Sequence, residues 1–158
     1  MAGRIIPMIA SDLKRAPRKT IAFTGASGLG LAGTAVIVWT ITGRVQVVSF
    51  PSPFITEALV STVNLGTISI GLTNSVTFFT AAVTVGAGDF AVNDWWYDGA
   101  AIPSYGRDHA SVGVFNTEPV PPISENIIIN CLTQNITDGT LVFDGLWYRP
   151  LTADGALT

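Results

Sequence analysis

Between Trp39 and Val47 the chain alternates strictly: Trp39, Ile41, Val45 and Val47 fall on one face, and Thr40, Thr42, Arg44 and Gln46 on the other. A period of two marks a strand with one face on a core. The pattern predicts a strand over about residues 36–48. The prolines at 51 and 53 in SFPSPF break the ladder, and ITEALVS after them reads as a short helical turn. In VNLGTISIGL the apolar phase changes across Gly66, from Val63 and Leu65 to Ile68, Ile70 and Leu72. Such a slip predicts a β-bulge. Asn74-Ser75 makes a turn, VTFFTAAVTV places Phe79, Ala81, Val83 and Val85 on one face, and Gly-Ala-Gly at 86–88 punctuates it. DFAVNDWWYDG, a loop over about 99–109, ASVGVF, the connector TEPVPPIS and NIIINCLTQ follow.

TLVFDGLWY completes the pattern and predicts a hairpin with the strand before it. Ile127, Ile129 and Cys131 face one way, and after an Asp138-Gly139 turn Leu141, Phe143 and Trp147 cover the same core. Short strands between turn signals, with no sustained helical period, indicate an all-β fold. About eight such strands fit a jelly-roll-like β-sandwich. A chain of 158 residues suits one domain, read here as residues 21–158 behind an extended N-terminal arm at 1–20.

The stretch KTIAFTGASGLG, residues 19–30, has the look of a strand entering a nucleotide-binding glycine loop. Its spacing argues otherwise. Only two residues separate Gly25 from Gly28-Leu29-Gly30, where the short-chain dehydrogenase pattern has three, and strand-type alternation follows where a helix should. Tyr97, Tyr105 and Tyr148 also lack a lysine four residues on. The loop reads as a flexible turn, and no cofactor is expected.

Composition changes the picture in one respect. Only 12% of residues are charged while 48% are hydrophobic, against roughly 25% charged in ordinary soluble domains. So little ionic surface predicts that apolar area is covered by association. The charge is also uneven. Residues 1–20 carry Arg4, Lys14, Arg15, Arg18 and Lys19 against Asp12 alone, a net of +4, and the remainder carries −7. A basic arm on an acidic body predicts docking on a neighbouring acidic surface, with Ile5 and Ile6 adding apolar burial. The acidic body disfavours nucleic acid. The uncharged run at 20–43 contains eleven Gly, Ser or Thr residues, which argues against a membrane span of ~20 apolar residues.

Catalytic chemistry finds little to use. His109 is the only histidine, and Asp108 beside it in an extended segment points away from it. With one His and one Cys the chain lacks a usual zinc set, and Cys131 reads as a small buried hydrophobe. Asp89, Asp94 and Asp98 lack the glycine-turned loop of a calcium site. Asn135-Ile136-Thr137 matches the glycosylation sequon but reads as a turn. The aromatic run Trp95, Trp96 and Tyr97 is either a strand edge with alternating faces or a recognition platform, since Trp and Tyr anchor many interfaces.

Residues 136–151, ITDGTLVFDGLWYRPL, with TIAFTGASGLG at 20–30 and the V-x-V stretch after Gly43, resemble small virion proteins of tailed bacteriophages, namely capsid decoration or cement proteins. The resemblance implies a non-enzymatic β-sandwich module made in the host cytoplasm and bound to the capsid exterior. Its partners would be the major capsid protein and its own copies, with a trimer favoured over a dimer. The partner-binding residues expected on this basis are Arg4, Ile5, Ile6, Lys14, Arg15, Arg18, Lys19, Trp95, Trp96 and Tyr97. The alternative is a carbohydrate- or receptor-binding β module of a phage tail or secreted protein, using the Trp95–Tyr97 run.

Overall fold

The computed structural model describes residues 13–85, 90–97, 100–102 and 122–158. The fold is all-β, built from antiparallel sheets consistent with a β-sandwich. The strands are β1 (Lys14–Arg15), β2 (Lys19–Ala22), β3 (Ala35–Trp39), β4 (Ile41–Thr42), β5 (Val45–Ser49), β6 (Phe54–Ser61) and β7 (Gly66–Leu72). They continue as β8 (Val83–Val85), β9 (Trp95–Tyr97), β10 (Ala100–Ile102), β11 (Ile127–Leu132), β12 (Ile136–Phe143), β13 (Trp147–Pro150) and β14 (Ala156–Leu157). One sheet has the order β10-β9-β6-β12-β2 and another β3-β11-β7-β8, while β1-β13-β5 and β14-β4 form smaller sheets.

The alternation from Trp39 to Val47 survives as burial: Trp39, Ile41, Val45 and Val47 are buried, and Thr40, Thr42 and Arg44 are exposed. The single long strand does not survive. β3 pairs with β11, β4 with β14 and β5 with β13, so one alternating stretch serves three sheets in turn. The sequence KTIAFTGASGLG forms β2 and then a tight loop in which Gly25, Gly28 and Gly30 all have positive φ. The Thr24 and Gly25 amides both donate to the Leu29 carbonyl, at 2.9 and 3.1 Å. A strand follows the loop, as the alternation predicted.

Four local expectations are corrected. ITEALVS is all but the first residue of strand β6; the pairing with β12 slips repeatedly, Glu57 is exposed between the buried Ile55 and Leu59, and that four-residue gap imitates a helical period. The phase change at Gly66 marks a passage between sheets through a 3-10 turn at Thr62–Asn64, which leaves Val63 and Leu65 exposed. Of VTFFTAAVTV only Val83–Val85 is strand, and Ala81 is exposed although Phe79 is buried. The expected terminal hairpin is absent: β11 lies between β3 and β7, and β12 lies between β6 and β2. Asp138-Gly139 sits inside β12 at a register slip, and a second slip between Trp147 and Tyr148 buries the tyrosine and leaves Trp147 at 42% exposure. The predicted ASVGVF strand lies outside the described residues.

Trp39 is the centre of the core. Its ring meets Phe143 edge-on at 5.5 Å and Phe50 at 6.1 Å, and Phe50 stacks on Phe79 at 4.4 Å. Such pairs add about 0.5–1.5 kcal/mol each beyond their buried area. Ile68 and Ile70 of β7, Ile127 and Ile129 of β11, and Leu141 of β12 are fully buried around them. Two buried hydroxyls are matched: Ser61 Oγ donates to the Val85 carbonyl at 2.8 Å and accepts from the Gly66 amide at 3.1 Å, and Thr80 Oγ1 accepts from the Ile70 amide at 2.9 Å.

Two tests follow from this packing. Gly30 has φ 111°, and a Cβ there would stand 2.3 Å from the Ile136 carbonyl oxygen, which itself belongs to a buried strand start. Gly30→Ala is expected to lower the unfolding free energy in urea by about 2 kcal/mol or more; an unchanged midpoint would contradict the loop geometry. Burial pushes the Cys131 thiol from 9.0 up to about 12. Because the folded value is the higher one, the unfolded chain releases the proton first. The thiol's contribution is therefore complete below pH 9 and is lost as pH rises toward 12. The stability difference between wild type and Cys131→Ala, measured by urea titration, should shrink from pH 8.5 to pH 11 on the order of that ionisation. A constant difference would place the thiol in water.

Candidate functional site

Residues 14–22 run antiparallel beside residues 140–148, from Lys14 opposite Tyr148 to Ala22 opposite Thr140. Both chains leave the extended form at the same level. Ala16, Pro17 and Arg18 separate β1 from β2, and Asp144, Gly145 and Leu146 separate β12 from β13. Pro17 has no amide to offer a ladder, and Gly145 takes φ 90°, a conformation other residues avoid. One backbone bond spans the bend, from the Ala16 amide to the Leu146 carbonyl at 2.9 Å. Trp39 Nε1 donates to the Pro17 carbonyl at 3.0 Å and ties the bend to the core. Ala16 and Leu146 are buried by this arrangement, whereas Arg18 and Asp144 are exposed beside them.

At the bend, Arg18, Phe54, Trp95, Val142 and Asp144 line an open cleft of about 310 Å³. Val142 pairs with Phe54, and Phe54 with Trp95, so one row across three strands supplies the apolar floor. The Phe54 and Trp95 rings are 4.9 Å apart and tilted by 50°. Arg15 reaches across the bend to form an ion pair with Asp144 Oδ1. Both side chains are about half exposed, at 53% and 48%, so the pair contributes only ~0–1 kcal/mol. Its consequence is position: the carboxylate is held at the cleft rim.

The structure brings two of the sequence-predicted features together here. Lys14, Arg15, Arg18 and Lys19 lie along the bent ribbon, with the first three exposed and Lys19 half-buried. They are not a free arm, because Lys14, Arg15 and Lys19 belong to strands, and the boundary expected at residue 20 falls inside β2. Trp95 and Arg18 both line the cleft. Trp96 does not: it is fully buried, edge-on to Phe90 at 5.3 Å and 79°. That is the alternation of a strand, one tryptophan out and the next in. Tyr97 pairs with Ala100 in the β9–β10 ladder, and Arg4, Ile5 and Ile6 lie outside the described residues. Phe54, Val142 and Asp144 escaped sequence reasoning, since only the lateral pairing of β9, β6 and β12 makes them neighbours.

At the far end of β6, three turns meet. The Thr62 amide donates to the Asn135 carbonyl at 2.9 Å, Thr133 Oγ1 donates to the Leu65 carbonyl at 2.6 Å, and the Ala32 amide donates to Asn135 Oδ1 at 3.0 Å. Leu29, Val60, Val63 and Leu65 project from this end at 42%, 44%, 70% and 60% exposure. Val63 and Thr133, both β-branched, have φ 51° and 60°, in a region that costs such residues roughly 1–2 kcal/mol. Turns 61–65 and 132–135 carry no charged side chain.

Other candidate chemistry is not assembled among the described residues. Cys131 is buried with a raised pKa, so it is a core residue rather than a nucleophile. Asp94 Oδ2 accepts from the Ala91 amide at 3.2 Å and closes a turn, while Asp89, Asp98 and His109 lie outside the described residues. No group of three metal-binding side chains occurs among the described residues, and no helix there is long and apolar enough to cross a membrane. Asn135 of the sequon is engaged with Ala32, and Ile136 after it is fully buried. Comparison with protein-family models, curated proteins and solved structures finds no match to this chain.

Proposed function

We propose that the chain is a non-enzymatic structural module that assembles with copies of itself and with a protein shell, as a capsid decoration protein does. The observation that carries this is the apolar end formed by Leu29, Val60, Val63 and Leu65, whose turns 61–65 and 132–135 carry no charged side chain, on a chain with only 12% charged residues. Contiguous exposed apolar patches on a protein surface mark contact sites. The left-handed Val63 and Thr133 support the same reading, because strained residues concentrate where a surface is shaped for contact. A jelly-roll-like connectivity, a trimer in preference to a dimer, and attachment to the capsid exterior through the major capsid protein complete the proposal. The basic ribbon then supplies long-range attraction to acidic faces of neighbouring copies, extended by Arg4, Ile5 and Ile6. Each contact is weak, and repetition through the oligomer gives firm attachment.

Two substitutions test the apolar end without disturbing the core. Val63→Asn should raise stability by up to about 1 kcal/mol, since Asn tolerates the left-handed region. Combined with Leu65→Ser, it should lower the sedimentation coefficient toward that of a single copy. Sedimentation identical to wild type would remove this end from the interface. Removal of residues 2–12, which leaves β1 and β2 intact, should weaken association in a salt-dependent way; unchanged association at low salt would exclude the arm.

A further inference from the structure

The cleft at the bend of the N-terminal ribbon is not explained by assembly through the apolar end. The two lie at opposite ends of β6, Phe54 in one and Val60 near the other, roughly 20 Å apart at ~3.3 Å per strand residue. We propose that the cleft is a binding subsite for a neutral pyranose sugar. This inference stands independently of the shell-binding proposal and identifies a different site.

Size comes first. A cleft of about 310 Å³ sits at the small end of ligand sites, which run ~300–1,000 Å³. It suits a single ring. The lining then selects the chemistry. A pyranose has a C–H face and a rim of hydroxyls, each able to donate and accept. Phe54 and Trp95, tilted by 50° across 4.9 Å, form an apolar wall of π-faces against which C–H groups pack. Asp144 is an acceptor only, and Arg15 occupies Oδ1, leaving Oδ2 to accept from a ligand hydroxyl. Arg18 is a donor only, and its guanidinium makes no ion pair or hydrogen bond with any described residue. One anchored acceptor and one available donor over an aromatic wall match adjacent hydroxyls.

Charge separates a neutral ligand from a charged one. An acidic ligand would meet the Asp144 carboxylate inside the same small cleft, and a basic ligand would meet Arg18. A neutral polyol uses both groups without facing a like charge. The Arg15–Asp144 pair spans the bend from β1 to the end of β12, so the carboxylate is placed before the ligand arrives, which reduces the ordering cost of binding.

The test uses the full chain and methyl glycosides of glucose, galactose and mannose, with the methyl glycoside of sialic acid as the anionic control. Binding is read by saturation-transfer NMR and by tryptophan fluorescence. At least one neutral glycoside should bind saturably and more tightly than the sialoside. Arg18→Ala and Asp144→Asn, both at exposed positions, should each weaken it roughly tenfold. Trp95→Ala should weaken it further, with circular dichroism confirming the fold. Failure of all three neutral glycosides to bind, tighter binding of the sialoside, or unchanged affinity in both Arg18→Ala and Asp144→Asn would each overturn the proposal. Sedimentation of the same variants should match wild type, which separates loss of the sugar site from loss of assembly.

Discussion

Trp39 is the residue on which the rest of the molecule depends. Its ring joins β3 to Phe143 of β12, and so couples the two main sheets through edge-on aromatic contacts. Its indole N–H reaches in the other direction, to the Pro17 carbonyl. That hydrogen bond ties to the core the bend that Pro17 and Gly145 make in the N-terminal ribbon. The bend in turn exposes Arg18, releases Asp144 from the ladder and opens the cleft beside Trp95. A core residue thus sets the geometry of a surface site through a single backbone acceptor.

The same coupling explains how much of the fold could be read in the sequence. The alternation through Trp39, Ile41, Val45 and Val47 reports burial correctly, because a period of two depends only on which side the core lies. Pairing is a different matter, since it depends on residues far along the chain. NIIINCLTQ and TLVFDGLWY are adjacent in sequence and both face the core, yet they lie in different sheets. The Asp138-Gly139 turn signal marks a register slip within a strand, where a glycine answers the same need for unusual backbone geometry. For the site, Arg18 and Trp95 were visible by type and charge. Phe54, Val142 and Asp144 were not, because no local signal records that β9, β6 and β12 lie side by side.

Scarcity of charge shapes both proposed surfaces. With eight basic and eleven acidic side chains on 158 residues, each charged group that is placed near an aromatic wall stands out against a neutral background. The bend gathers Arg15, Arg18 and Asp144 in one place. The opposite end of β6 gathers Val60, Val63 and Leu65 with no charge in the turn that carries them. One strand therefore links a polar-aromatic cleft to an exposed apolar end. A module that adheres at one end and recognises a small ligand at the other is consistent with this division.

The central claim is that the apolar end is covered by another copy of the chain. Light scattering of the full-length protein across a range of concentrations measures this most directly. The account predicts a mass that is a whole multiple of the 16.6 kDa chain and that persists on dilution into the micromolar range. A mass of one chain at every concentration would contradict it.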